Sequence, residues 1–95
     1  MPLSAAKAAE LLGEPVEKVL LRTGGEISAV YEVRTRDREL IFKLYPGLFT
    51  ERMRKELHVY ELLSRTGAAA PTVVRADDSR RDLPQAYLVM TKVAG

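Results

Sequence analysis

Residues 39–63 read ELIFKLYPGLFTERMRKELHVYELL, in which a strand pattern is followed directly by a helix pattern. The first seven residues are apolar except for Glu39 and Lys43, and they predict a strand over 39–45. The pair Pro46-Gly47 breaks this strand. Thr50 is a candidate N-cap for a helix over 51–66, the longest helix that the sequence predicts.

Lys43 is the first charged residue at an unexpected position. It lies at the centre of its predicted strand and shares a face with Ile41 and Tyr45, while the opposite face is apolar as well. A lysine in such a place costs desolvation unless an anion meets it. The alternative is an ordinary lysine on the solvent face of a half-exposed sheet.

Glu56 is the second such residue. The predicted long helix has an apolar stripe formed by Met53, Leu57, Tyr60 and Leu63. Glu56 points along this stripe, and a carboxylate facing a core needs a cation or a donor. Lys43 lies on the sheet that the helix must cover, and it is therefore the expected partner of Glu56. The alternative is a glutamate at the edge of the stripe that turns into water.

The rest of the chain predicts shorter elements. Ser4 is a candidate cap for a helix over 3–12, and Gly13 ends it. Its expected apolar stripe consists of Ala5, Ala8, Ala9 and Leu12. Further strands are expected over 17–23, 28–35, 72–76 and 85–92, with Gly67 ending the long helix and a polar hairpin loop over 77–82. These elements predict an α+β fold: a five-stranded antiparallel sheet, one long packed helix and a short N-terminal helix.

Length and composition narrow the function classes. The 95 residues are enough for a single domain. There is no cysteine and one histidine, His58, so no disulfide and no metal site is expected. A net charge of +2 without aromatic residues among the basic ones argues against nucleic-acid binding. With no signal or membrane-spanning pattern, the default expectation is a cytoplasmic domain without membrane contact.

The segment Thr23-Gly24-Gly25-Glu26-Ile27-Ser28 joins the first two strands with more residues than a tight turn needs. Paired glycines let a backbone approach a ligand closely and turn its N–H groups inward. Ser28 adds a hydroxyl donor. Such a loop can lie over phosphates, although most Gly-Gly pairs are simply turns.

Taken in order, these parts resemble the small lobe of the protein-kinase-like fold, and most closely the aminoglycoside phosphotransferase and choline-kinase-like family. The likeness runs from about residue 16 to residue 95. It implies that Lys43 contacts the α- and β-phosphates of ATP and that Glu56 holds this lysine. The other nucleotide-binding residues that it implies are Gly24, Gly25 and Ser28 in the loop, Val30 and Ile41 against the adenine, Met90 behind it, and the backbone of Thr91 and Val93 at its edge.

The resemblance also implies what the chain lacks. In this family a second, C-terminal lobe supplies the catalytic aspartate, the residues that bind magnesium and the acceptor site. We therefore expect residues 1–95 to be one domain, the ATP-binding lobe of a small-molecule phosphotransferase, with no catalytic residue, no metal ligand and no activity alone. The expected partners are the nucleotide and the missing lobe, with Mg²⁺ held through that lobe.

Two other readings remain open. In the first, the chain is a stand-alone binding domain that forms a homodimer through the exposed cleft face and buries Ile41 and Met90. In the second, it is a general α+β module that binds nucleic acid through Arg34, Arg36 and Arg38. This binding would depend strongly on salt.

Overall fold

The computed structural model describes residues 3–24, 28–67 and 69–92. The elements in chain order are helix α1 (Ala5–Leu12), strands β1 (Val16–Gly24), β2 (Ala29–Thr35) and β3 (Glu39–Tyr45), a 3-10 turn (Gly47–Phe49), helix α2 (Thr50–Thr66), and strands β4 (Val73–Asp77) and β5 (Ala86–Thr91). Every predicted element is present, with ends that differ from the prediction by at most two residues.

The five strands form one sheet in the order β1-β2-β3-β5-β4. Every neighbouring pair is antiparallel, so the predicted α+β class and the antiparallel sheet are confirmed. The two edge strands are irregular: β1 has two shifts of register against β2, and β4 has one against β5. The central strand β3 is regular along its whole length.

The register around β3 determines which side chains share a face. Lys43 lies opposite Val30 of β2, and Ile41 lies opposite Met90 of β5. Directly opposed residues project from the same side of a sheet. These four residues, which come from three strands, therefore belong to one face.

A helix covers each face of the sheet. Alternate residues of β3 point to opposite faces, and both sets are largely apolar, so both faces need to be covered. One face packs against α1 and the β4–β5 loop, in a core of Leu3, Ala8, Leu11, Tyr31, Val33, Leu40, Phe42, Leu44, Leu83, Tyr87 and Val89. The other face packs against α2, in a core of Tyr45, Met53, Ala86, Leu88 and Met90. The long helix is thus packed on the sheet as expected, on the face that carries Lys43.

Two details of the helices differ from the prediction. In α1 the buried residues are Ala8 and Leu11, while Ala5 is exposed, because facing the larger Leu11 to the core buries more apolar surface. In α2 the cap position is Phe49, with no side-chain cap. Pro46 begins a 3-10 turn that runs straight into the helix, so Thr50 lies in the first turn and donates its hydroxyl to the Gly47 carbonyl, at 3.2 Å.

The predicted caps at three other positions are confirmed. The Ser4 hydroxyl accepts the Lys7 N–H at 3.0 Å. Gly13 and Gly67 end their helices in the left-handed conformation, with φ of 72° and 75°. Glycine adopts this conformation without the steric cost that other residues pay.

The loop between β4 and β5 forms hydrogen bonds with the start of α2. The Arg80 guanidinium donates to the Gly47 carbonyl and to the Thr50 hydroxyl, both at 3.0 Å. Asp78, two residues earlier, accepts from Arg54 at 2.9 Å. Arg80 itself has a φ of 61°, which a non-glycine residue rarely adopts. The loop therefore holds the N-terminal end of α2, the end nearer to Glu56, in place.

We expect Arg80→Ala to lower the stability of the first turn of α2 by about 1 kcal/mol, because two hydrogen bonds to that turn are lost. Native-state hydrogen exchange should show faster exchange of amides at the start of α2. Arg81→Ala is the matched control, because Arg81 is an exposed neighbour whose side chain forms no hydrogen bond or ion pair with α2 among the described residues. Equal exchange rates in the two variants would contradict a clamping role for Arg80.

Candidate functional site

Lys43 and Glu56 meet between β3 and α2. The Lys43 Nζ donates to Glu56 Oε1 at 2.6 Å. The two side chains are only 18% and 27% exposed, so water screens the pair incompletely. Strand alternation places Lys43 under the helix, and the helical stripe turns Glu56 towards the sheet. The predicted pairing is therefore confirmed, whereas its role towards a ligand remains a prediction.

Tyr45 is a third member of this cluster. Its hydroxyl donates to the same Oε1 of Glu56, at 2.5 Å. The aromatic ring is fully buried, and its centroid lies 5.8 Å from the Lys43 Nζ. The sequence pattern predicts for Tyr45 only an apolar position on the Lys43 face. The signal was present, because a buried tyrosine needs a partner for its hydroxyl and Tyr45 lies two residues from Lys43 on one strand.

The electrostatics of the cluster follow from these contacts. Burial alone would raise the pKa of Glu56, but the hydrogen bonds from Lys43 and Tyr45 outweigh it, so the pKa lies below its ordinary value of 4.5. Burial, and after it the bond to Glu56, raises the pKa of the Tyr45 hydroxyl above its ordinary value of 10.0. At neutral pH Glu56 is thus an anion, and Tyr45 is a neutral hydrogen-bond donor.

The apolar residues expected to contact a base lie on the same face. Val30 and Ile41 are half-buried, and they flank Lys43 on β2 and β3. Met90 is only 2% exposed and belongs to the core beneath α2. Met90 therefore closes the back of this face, while Val30 and Ile41 are the members that remain accessible.

The remaining expected residues lie at the ends of the strands. Gly24 ends β1 and pairs with Ala29, and the half-buried Ser28 precedes β2. The Thr91 N–H donates to the Thr72 carbonyl at 2.9 Å, so a main-chain hydrogen bond from Thr91 to a ligand would use its carbonyl. Gly25 and Val93 lie outside the described residues, and their predicted roles stay predictions.

A charged network that sequence reasoning missed borders the face. Glu32, opposite Ile41, accepts from Lys92 at 2.8 Å and pairs with Arg22 at 3.5 Å. Lys92 also reaches Glu39 at 3.1 Å. The hydrogen bond from Lys92 keeps the pKa of Glu32 below its ordinary value. This network ties the residue after β5 to β2 and β3, across strands that are distant in sequence.

A shallow groove of about 510 Å³ opens beside Glu56, along α2 and the 3-10 turn that precedes it. Its lining combines apolar and charged side chains: Leu48, Phe49, Glu51, Arg52, Lys55, Glu56 and Val59. Leu48 is 94% exposed, and His58 is exposed as well. Within residues 3–24, 28–67 and 69–92, no group of three or more metal-binding side chains comes together. The helices in the same ranges include none that is long and apolar enough to cross a membrane.

Comparison with known proteins gives a family and a fold. The family model described as "Phosphotransferase enzyme family" matches residues 18–95. Curated proteins provide no significant match. A crystal structure of a putative aminoglycoside phosphotransferase from Ralstonia eutropha JMP134 is similar, with a TM-score of 0.73 and 17% sequence identity. The similarity covers 96% of this chain and 27% of that chain, so these residues span about a quarter of its length.

We expect Glu56→Gln to lower the free energy of unfolding by about 1–2 kcal/mol at pH 7, because two hydrogen bonds lose their charged acceptor. The folded-state pKa of Glu56 is lowered, so its contribution is present above the unfolded value near 4.5 and is lost as pH falls through the folded value. Urea unfolding at a series of pH values from 7 to 3 measures this. Glu61→Gln, at an exposed position of the same helix, is the control. A difference from wild type that does not shrink at low pH would contradict the assignment.

Proposed function

The chain belongs to the phosphotransferase enzyme family, and from this premise we propose that it is the ATP-binding lobe of an enzyme that phosphorylates a small hydroxylated molecule of the antibiotic type. The observation that carries the proposal is the Lys43–Glu56 pair on the sheet face beneath α2. A lysine held by a carboxylate on one side can offer its other N–H groups to phosphate oxygens. The cytoplasm, where ATP is made and used, is the proposed location.

The described residues fit a nucleotide in three respects. Lys43 is a cation with two N–H groups beyond the one that Glu56 accepts. Val30 and Ile41 offer half-buried apolar side chains to the faces of an adenine. The Thr91 carbonyl, next to the buried Met90, is the main-chain acceptor proposed for the amino group of the base. Gly24 and Ser28, together with Gly25 outside the described residues, are also proposed to approach the phosphates.

The proposal assigns the chemical step to residues outside this sequence. When bound, ATP supplies the phosphoryl group, and Mg²⁺ neutralises charge on its phosphates. The acidic residues at the β4–β5 loop are engaged elsewhere: Asp77 accepts from Ser79, Asp78 from Arg54 and Asp82 from Arg75. We therefore propose that a second lobe carries the catalytic aspartate and the magnesium ligands, and that this chain binds the nucleotide without turning it over.

The alternative of a stand-alone domain that dimerises through its cleft face has weaker support. Such a dimer would bury Ile41 and Met90, but Met90 is already covered by this chain. The most exposed large apolar side chain among the described residues, that of Leu48, lies in the 3-10 turn before α2, away from Ile41 and Met90. In the proposed nucleotide site, by contrast, Met90 lies behind the base and stays buried.

We expect Lys43→Met to weaken ATP binding by this chain about 10- to 100-fold, because one charge-assisted contact to phosphate is worth about 1.5–3 kcal/mol. Adenosine binding should change little, since adenosine has no phosphate for Lys43 to contact. Isothermal titration of both ligands measures the two effects. Lys7→Met, on α1 at the opposite face, is the matched control. Equal losses for ATP and adenosine, or no ATP binding by the wild-type chain, would contradict the proposal.

We expect the purified chain to show no steady phosphoryl transfer from ATP to aminoglycosides or water, because the groups that orient the acceptor and bind magnesium are proposed to lie elsewhere. A coupled assay for ADP release measures this. The control for contaminating kinases is Lys43→Met prepared in the same way. Steady turnover by wild type that is absent from Lys43→Met would overturn the expectation of inactivity.

A further inference from the structure

We propose that Tyr45 is a positioning residue of the Lys43–Glu56 pair, with a hydroxyl that fixes Glu56 Oε1 at the point where Lys43 meets it. This inference deepens the proposed function and depends on it only where nucleotide affinity is concerned. The positioning of Glu56 can be tested without any nucleotide.

The first observation is that both donors share one acceptor atom. Lys43 Nζ and Tyr45 Oη lie 2.6 Å and 2.5 Å from Glu56 Oε1. A carboxylate that accepts from only one flexible ammonium can rotate and still keep that contact. Two donors that converge on one oxygen restrict the rotation, because only a narrow range of side-chain torsions satisfies both.

The second observation is that Tyr45 is held far more rigidly than Lys43. Its ring is fully buried in the core beneath α2, together with Met53, Leu88 and Met90. Its backbone lies in β3, in register with Ala86 of β5. A packed ring on a central strand has a single position, so its hydroxyl is a fixed point in the sheet. Lys43, by contrast, reaches Glu56 through a four-carbon stem.

The hydroxyl also matters when Lys43 is needed elsewhere. An anion near Lys43 competes with Glu56 for the ammonium, and a partly buried carboxylate that loses its donor is destabilised. Tyr45 still donates to Glu56 in that situation. Arg52 on α2 interacts more weakly, through its charge, with both Glu56 and Tyr45, and Tyr60 on the same helix also acts on Tyr45. Glu56 can therefore keep its position and accept one N–H of Lys43 while the other N–H groups of the ammonium reach a phosphate.

The decisive experiment is an NMR titration of the Glu56 carboxyl carbon in wild type and in Tyr45→Phe. This variant keeps the ring in the core and removes only the hydroxyl. We expect the pKa of Glu56 to rise in Tyr45→Phe, because a hydrogen bond to its charged form is lost. Tyr87→Phe is the matched control. Tyr87 is equally buried, on the other face of the sheet, and its hydroxyl accepts from Arg75 at 2.8 Å.

Nucleotide affinity gives the second measurement. We expect Tyr45→Phe to weaken ATP binding about three- to tenfold and to leave adenosine binding unchanged, since the lost bond is worth roughly 1 kcal/mol. In a Glu56→Ala background, which has no side-chain acceptor, the same substitution should have little further effect, because Tyr45 acts through Glu56. A purely structural tyrosine would weaken both ligands alike and would act equally in both backgrounds.

The outcomes separate the two proposals. An unchanged pKa of Glu56 in Tyr45→Phe overturns the role of Tyr45, whatever the chain does with ATP. A raised pKa together with no ATP binding by wild type supports the positioning of Glu56 and overturns the proposed function. If Tyr45→Phe fails to fold, as urea unfolding would show, slow exchange of the Tyr45 hydroxyl proton provides the test. We expect a protected hydroxyl resonance in wild type that is lost in Glu56→Ala, and its persistence would overturn the inference.

Discussion

The ammonium of Lys43 lies in an interface that is otherwise built from apolar side chains, between the central strand β3 and helix α2. A charge in such a place has to be compensated, and the compensation must come from the element that covers it. Glu56 supplies it from the middle of α2. The helix is therefore held on this face of the sheet both by apolar packing around Met53 and by an ion pair that other orientations of the helix would lose.

Several contacts outside the interface support the same arrangement. Arg80 and Asp78 hold the first turn of α2 from the β4–β5 loop. On the other face, Arg75 joins the Tyr87 hydroxyl, Asp82 and the Leu11 carbonyl, and thereby ties that loop to β5 and α1. Individual surface contacts of this kind are weak. Because they are linked through one loop, a displacement of α2 disturbs the packing on both faces of the sheet.

The fold and the central pair could be predicted from the sequence because both depend on local patterns. Alternation along residues 39–45 and the stripe on 51–66 are readable without knowledge of the partner strands. The missed features depend on pairings across the chain. The contact of Lys92 with Glu32 joins residues 60 positions apart, and the burial of Leu11 in place of Ala5 depends on what lies beneath α1. The sequence indicates that the buried Tyr45 hydroxyl needs a hydrogen-bond acceptor. That this acceptor is Glu56 becomes evident only when the position of Glu56 is known.

The irregular edges of the sheet have a consequence for the behaviour of the isolated chain. A sheet with two free edges offers unpaired N–H and C=O groups to other molecules, and a long, regular edge strand invites another strand to add to it. Here β1 is interrupted twice in its register, and β4 is short, interrupted once and charged at Arg75 and Asp77. Both edges are thus poor templates for intermolecular strand addition. The sheet protects itself against fibril-like growth at its borders, while its regular central strands hold the Lys43 cluster in register.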